Sequence, residues 1–372
     1  MREAIGIDNR AVSHFQMGVL FFVFMTGSSI INIPGPLIGK AGNGAWLSLL
    51  LSGGLGFCML GCVLYLHRRF PELTFVQYSR KLIGPALTAV LSVVAITFLL
   101  QMQSAIVVDV GLFMISSMLR ETPIYAFTIM IFIIAALSAR AGLEVMARMF
   151  TLIMFTSAFF LLFVLVVGLP DYDPSLLLPI MPEGIKPVLH GAYFSFGFPY
   201  VEVFLFGMLL PFVHKQSANK LPRTMAITLL LNIVTLCGTT LCAIMIFGLE
   251  AGERPYVLYS LARVVEFQEI VQRMESIIGM SLILGSYMKV TITLFVLSLF
   301  LSQLLGMKDY RVLVMPLALI GFLMGLVDFD GVSEWVGTVT VLHPVWASAG
   351  FAVPLVLLAV IAAIKGDKNQ GG

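Results

Sequence analysis

The sequence predicts an all-α polytopic membrane protein whose ten transmembrane helices form a five-plus-five inverted repeat. Of its 372 residues, 59% are hydrophobic and only 11% are charged, whereas a soluble domain normally has about 25% charged residues. Ten apolar windows follow one another along the chain, and each is long enough to cross a bilayer. The first and sixth windows are interrupted by glycine and proline and would run in opposite directions. Two antiparallel interruptions five spans apart are typical of an inverted repeat.

Windows of about 20 apolar residues define the ten predicted spans. They lie at 12–38, 44–66, 86–118, 123–139, 145–169, 187–212, 222–248, 271–305, 311–327 and 340–364. We interpret residues 1–372 as a single transmembrane domain. Its first repeat covers about 12–169 and its second about 187–327, and span 10 leads into a cytoplasmic tail that ends at 372.

The basic residues orient the chain in the membrane. Fifteen of them fall in the loops on one side and six in those on the other side. Because cytoplasmic loops have the excess of Lys and Arg, we expect both termini in the cytoplasm, which requires an even number of spans. The net charge is only +2, so we expect no nucleic acid as a partner. The apolar composition makes the lipid bilayer the expected partner.

The interruption of span 1 covers residues 25–36, where Gly, Ser, Asn and two Pro lie at membrane depth. In hydrocarbon every backbone polar group needs a partner, so such a stretch is tolerated only where protein or a wet cavity covers it. Transporters use broken helices of this kind to bind substrate near the midplane. We therefore predict a binding site here, with free amides at Gly27, Ser28 and Ser29 suited to a carboxylate. A proline kink packed against neighbouring helices is the alternative.

The interruption of span 6 covers residues 195–200. Proline cannot donate to the helical ladder and disfavours helical geometry in the residue before it. The helix is therefore expected to open at about Gly197 and to restart near Pro199, which places Glu202 in the first turn of the restarted half-helix.

The two interruptions together suggest an amino acid ligand. Free carbonyls at residues 195–197 would suit an ammonium group, just as the amides of span 1 would suit a carboxylate. Phe98, Met102, Phe196 and Phe198 are candidates for the apolar wall. Because these groups are inferred, sugars and nucleosides stay open as ligands.

Three ionisable residues lie well inside spans, namely Asp109, Glu202 and Lys289. Such residues are costly in hydrocarbon and count as functional candidates. Lys289 and Glu202 match in depth, so we predict that Lys289 pairs with Glu202 or with the carbonyl ends of span 1. Its ammonium would then replace a coupling cation and could release a proton, or the pair would only position helices. Asp109 lies nearer the outer end of span 3 and is expected to reach water. His343 shows no partner pattern and is interpreted as a packing or interfacial residue.

The remaining features are assigned to packing. Residues 255–269 predict an amphipathic helix that lies along the outer surface as a cover, with an apolar face formed by Val257, Leu258, Leu261, Val264 and Val265. The glycines of span 2 are expected to permit close helix packing; they are Gly53, Gly54, Gly56 and Gly61. No hydrolase, phosphate-loop, zinc or dinucleotide motif occurs in a suitable context. From the lack of these motifs we expect that the chain is not an enzyme and that it binds neither a cofactor nor a metal.

Several short motifs, in order along the chain, resemble a known family. They are Thr122-Pro123-Ile124 after span 3, Phe204-Leu205-Phe206 and Pro211-Phe212 after Glu202, Arg273-Met274-Glu275-Ser276 at the start of span 8, and Gly306-Met307-Lys308-Asp309-Tyr310-Arg311 before span 9. The chain resembles the B-subunit, or permease, family of endospore germinant receptors, a branch of the amino acid–polyamine–organocation transporter superfamily.

This resemblance implies a leucine-transporter-like fold in which broken helices 1 and 6 surround a ligand together with helices 3 and 8. By matching positions, the pocket would contain Thr26, Gly27, Ser28, Phe98, Met102, Phe196, Gly197, Phe198, Tyr287, Met288 and Lys289. The resemblance also implies a receptor subunit in the spore inner membrane that senses a small germinant and signals to A and C subunits. A proton-coupled amino acid permease is the main alternative, and a structural subunit with a vestigial pocket is another.

Overall fold

The computed structural model describes residues 12–264 and 275–365, and these are helical almost throughout. Short 3₁₀ and π segments link the α-helices. The α-helices are α1 (His14–Thr26), α2 (Ser29–Asn32), α3 (Pro34–Ala41), α4 (Ala45–Arg69), α5 (Phe75–Phe113), α6 (Ile124–Ala141), α7 (Leu143–Val167), α8 (Ile185–Gly197), α9 (Phe206–Leu209), α10 (Leu221–Phe247), α11 (Val257–Val264), α12 (Glu275–Leu304), α13 (Arg311–Gly325), α14 (Val332–Ala347) and α15 (Val353–Ile364).

The helices reproduce the ten predicted spans. Within the described ranges, nine helical stretches are long and apolar enough to cross a membrane, and the shorter apolar α13 supplies the tenth. Span 1 consists of α1 to α3, span 6 of α8, a 3₁₀ segment and α9, and span 10 of α14 and α15. The protein is therefore an integral membrane protein with two broken helices.

Two boundaries differ from the hydropathy windows. The helix of span 3 begins at Phe75, where Thr74 and Gln77 form a capping box, and it bends at Gly84, whose φ is +81°. Span 10 begins at Val332. In both cases the helix extends beyond its apolar part, which hydropathy alone does not detect. The predicted start of span 8 at 271 and the tail beyond 365 lie outside the described residues.

Burial separates central helices from peripheral ones. The apolar window is 78% buried in the stretch His14–Asn32 and 89% buried in both Ile185–Phe212 and Glu275–Leu304. In α7 the corresponding value is only 11%. Helices buried on all sides lie in the centre of a bundle, so broken helices 1 and 6 and α12 form the core, and α7 faces lipid.

The glycines of α4 behave in two different ways. A Cβ on Gly53 would lie 2.6 Å from Ile233, and one on Gly56 would lie 3.0 Å from Tyr200, so these two positions do permit close packing. A Cβ on Gly54 or Gly61 would meet no atom of the described residues within 4 Å. The packing prediction is wrong for these two, which face the bilayer.

The predicted cover helix is present as α11, but it is buried more deeply than expected. Val257, Leu258 and Leu261 are at most 1% exposed, whereas Val264, expected on the same face, is 52% exposed. The helix therefore packs into the bundle and does not lie along its surface. Val265 and the rest of the predicted helix lie outside the described residues.

Candidate functional site

The helix-1 break, residues 27–28, lies at the predicted place between α1 and α2. The N–H of Gly27 donates to the Val23 carbonyl over 2.8 Å, and Gly27 keeps right-handed helical geometry. The expectation of a free Gly27 amide is therefore wrong for this conformation, because the helix kinks here and does not unwind. The hydroxyls of Ser28 and Ser29 are buried and have no hydrogen-bond partner among the described residues.

Gly27 is required by a backbone contact between α1 and α12. A Cβ on Gly27 would lie 2.5 Å from the carbonyl oxygen of Gly285, and a Cβ on Gly285 would collide with Gly27 in turn. Real Cβ atoms do not approach other atoms this closely. The two glycines therefore allow broken helix 1 to cross α12 at backbone contact distance, as small residues do at membrane helix crossings.

The helix-6 break, residues 198–199, also lies where it was predicted. The α-helix ends at Gly197, Phe198 is extended (φ −146°, ψ 109°), and the chain restarts at Tyr200 as a 3₁₀ helix. A Cβ on Gly197 would collide with Pro344 of α14. Glu202 falls in the first turn of the restarted segment, as expected.

Glu202 and Lys289 form a fully buried ion pair. The Lys289 Nζ lies 2.6 Å from Oε2 of Glu202, and both side chains are 0% exposed. The same Nζ lies 4.2 Å from the ring centroid of Phe198 and 5.2 Å from that of Phe24, close enough for cation–π attraction. The structure thus confirms that the two charges pair and places them beside both broken helices.

His343 joins this pair from α14. Its Nε2 lies 3.7 Å from Oε1 of Glu202, and its ring contacts Phe98 and Phe198 with centroid distances of 4.8 and 6.0 Å. His343 is 8% exposed and packs against these two rings, so its interpretation as a packing residue is confirmed, whereas its approach to Glu202 was not expected. The rule that selected Glu202 and Lys289, an ionisable group inside a span, would have selected His343 as well.

The other candidate residues divide into those that pack near the charge pair and those whose side chains bond to other parts of the bundle. Phe98 packs against His343, and Met102, which follows it by one helical turn, is also buried. Thr26 and Tyr287 point elsewhere: Thr26 accepts a hydrogen bond from Asn232 over 2.9 Å, and Tyr287 bonds to Ser138 over 2.7 Å. Tyr287 precedes Lys289 by two residues, and positions so spaced lie on different faces of a helix.

Phe196 belongs to neither of these groups. It is half-buried and packs against the hydrophobic core from the last turn of α8.

Asp109 belongs to a separate buried cluster. Its carboxylate accepts hydrogen bonds from the Asn32 side chain and, over 3.2 Å, from the Tyr256 hydroxyl. It is 0% exposed, so the expectation that it reaches water is wrong. The cluster links the second segment of broken helix 1, α5 and the residue preceding α11.

Comparison with solved structures identifies the fold. The chain aligns with Mhp1, a nucleobase-cation-symport-1 family transporter, at a TM-score of 0.71 and 13% identity, over 92% of this chain and 76% of that one. It aligns with MhsT, solved in complex with L-phenylalanine, at a TM-score of 0.67 and 13% identity, over 94% and 97% of the two chains. At such identities the likeness concerns the fold alone. The fold is the leucine-transporter-like five-plus-five inverted repeat with broken helices 1 and 6.

Comparison of sequences identifies the family. Spore germination protein KB of Bacillus subtilis (strain 168) is 24% identical over 369 residues, which are 98% of this chain and 97% of that protein. The family of spore germination proteins called spore permeases matches residues 11–329. The family and the proteins of like fold are transporters or receptors, not enzymes. This chain belongs to the spore germination permease family.

Proposed function

We propose that this chain is the germinant-sensing membrane subunit of a spore germination receptor, and that an amino acid binds between the helix-1 and helix-6 breaks. The observation on which the proposal rests is the buried pair of Glu202 and Lys289, which lies beside both breaks. Family membership supports the receptor role, and the L-phenylalanine bound to MhsT is a ligand of the proposed class on the same fold.

The charge pair matches the chemistry of an amino acid. The ligand's carboxylate would bind the ammonium of Lys289, and its ammonium would bind the carboxylate of Glu202. Each buried charge would thereby exchange one partner for another, so neither would be left uncompensated in a dry site. Phe98 and Phe198, which already contact His343, would form the wall for the ligand's side chain.

Opening the charge pair would supply the signal. A ligand shifts a conformational equilibrium only if it binds one state more tightly than the other. Separation of Glu202 from Lys289 would alter the contacts of broken helix 6 with α12, and we propose that A and C subunits respond to this change. We further propose that the protein resides in the spore inner membrane with both termini in the cytoplasm.

A thermal-shift screen of the purified chain against amino acids, sugars and nucleosides tests ligand binding, because a ligand of the folded state raises its apparent stability. We expect one amino acid to shift the melting temperature, and Phe98→Leu to reduce that shift. Phe155→Leu is the matched control, since Phe155 is 58% exposed on the lipid-facing α7. An equal shift in all three proteins would mean that the site is misplaced. No shift with any compound would favour a vestigial pocket.

A proton-coupled amino acid permease is the second candidate. It is favoured by the ionisable cluster of Glu202, Lys289 and His343 at membrane depth, because such groups mark proton relays in transporters. Uptake of the labelled ligand into proteoliposomes that contain this chain alone separates the two functions. Accumulation that depends on a proton gradient would contradict a pure receptor, and its absence would support one.

A further inference from the structure

A cavity lies on the side of broken helix 1 that faces α7 and α10. Its volume is about 360 Å³. Five helices supply the walls: α1, α2, α7, α10 and α12. The lining includes Val23, Gly27, Leu162, Val234, Gly238 and Met288.

The walls are apolar, and their few hydroxyls are mostly engaged. Thr235, Thr239 and Ser281 donate to carbonyls of their own helices over 2.8 to 3.0 Å, and Thr26 accepts from Asn232. Among the described residues, the lining contains no ionisable side chain. An ordered water needs two to four polar partners, so this cavity suits hydrocarbon and excludes a charged ligand.

The mouth of the cavity opens toward the bilayer. Leu162 of α7 is 62% exposed, and Val234, midway along α10, is 59% exposed. In a membrane-spanning helix such positions contact hydrocarbon. The molecules present at this depth are lipid acyl chains, which can enter between α7 and α10 without crossing a polar region.

We infer that this cavity is a lipid site that holds an acyl chain of a bilayer phospholipid. The chain would touch Gly27 and Gly285 at the crossing of broken helix 1 and α12. On α12 the cavity contacts Met288, and the adjacent Lys289 faces Glu202; on α1 it contacts Val23, and the adjacent Phe24 faces Lys289. Lipid and germinant sites thus share the same two helices as a common wall, so occupancy of the cavity would stabilise the present packing of helix 1.

Photocrosslinking in nanodiscs tests this inference. The probe is a phosphatidylcholine with a diazirine near the middle of one acyl chain. We expect label within residues 22–31, which form the wall of the cavity contributed by α1 and α2. Absence of label in this segment, when lipid-facing α7 is labelled, would overturn the inference.

A matched pair of glycine variants provides the control. A Cβ on Gly238 or on Gly54 would meet no described atom within 4 Å, but only Gly238 lines the cavity. We expect Gly238→Phe to lower the label within 22–31 by about tenfold, and Gly54→Phe to leave it unchanged. Should Gly238→Phe fail to fold, Ala158→Phe fills the cavity from α7. Undiminished label in a folded variant of either kind would contradict a chain bound here.

Discussion

Lys289 and Glu202 show how the membrane interior determines the properties of single residues. Both side chains are fully buried, and each is the partner that makes the other tolerable. Loss of one member leaves an uncompensated charge in a medium that cannot solvate it, whereas loss of both need not. A buried pair can thus be essential for folding without being a large net source of stability.

Single and double substitutions test this asymmetry. We expect Lys289→Met to lower the free energy of unfolding by about 3–5 kcal/mol, and Lys289→Met with Glu202→Gln to recover much of that loss. The measurement is thermal unfolding of the purified variants. Lys215→Met is the control, since the Lys215–Glu72 pair is exposed (74% and 53%) and exposed pairs contribute only about 0–1 kcal/mol. A single variant no less stable than this control would contradict the expected asymmetry.

Gly27 and Gly285 place a second constraint at the level of single residues. Because each glycine lies against the other's backbone, a substitution at Gly27 disturbs helix packing as well as any bound ligand. Gly27→Leu is therefore a poor probe of ligand binding. It is a better probe of the helix crossing.

The alanine variant of Gly285 isolates that crossing. We expect Gly285→Ala to destabilise the protein by about 1–3 kcal/mol, the usual cost of overpacking a tight contact. In Gly61→Ala the new methyl group meets no described atom within 4 Å, so the melting temperature should not fall. Equal melting temperatures for the two variants would mean that the helices can separate at little cost.

At the scale of elements, α11 is connected to broken helix 1 through Asp109. The Tyr256 hydroxyl donates to the Asp109 carboxylate, which also accepts from Asn32 of α2. The Tyr256 ring packs edge-on against Phe113 with a centroid distance of 5.0 Å. The Asp109 carboxylate of α5 thus connects α2 with the residue that precedes α11. A movement of α2 would therefore change the position of the start of α11.

Removal of the Tyr256 hydroxyl tests this connection. A typical intramolecular hydrogen bond contributes about 0.5–1.5 kcal/mol, so Tyr256→Phe should accelerate backbone hydrogen exchange in Val257–Val264 while the ring keeps its contacts. Tyr125→Phe is the control because Tyr125 is 56% exposed. Unchanged exchange in α11 would show that apolar burial alone holds this helix.

For the whole molecule, contacts between loops show which loops lie on the same side of the membrane. Lys215 Nζ lies 2.5 Å from Glu72 Oε1, which joins the loops before α10 and α5. On the opposite side the N–H of Asp173, in the loop after α7, donates over 2.9 Å to the carbonyl of Met245 near the end of α10. We propose that the first side is the cytoplasmic one, because its loops have the excess of Lys and Arg.

Cysteine labelling tests that orientation. Gln216 and Glu250 are exposed at the two ends of α10. We expect Glu250→Cys to react with a membrane-impermeant maleimide in intact cells and Gln216→Cys to react only after permeabilisation, with wild type reporting the native cysteines. Reaction of Gln216→Cys in intact cells would reverse the orientation, and identical behaviour of both variants would contradict the membrane crossing of α10.

The sequence by itself determined the ten spans, both broken helices and the presence of buried charges. Hydrocarbon requires apolar side chains and paired backbone groups over about 20 residues. Departures from this requirement, such as Gly27, Pro199 and Lys289, can be recognised from the neighbouring sequence alone.

The tertiary structure decided which distant groups meet. Glu202 gained His343 as well as Lys289, Gly27 met Gly285, and Asp109 was covered by Tyr256. Hydropathy reports the depth of a residue in the membrane but not the face of the bundle toward which it points, and such contacts depend on that face.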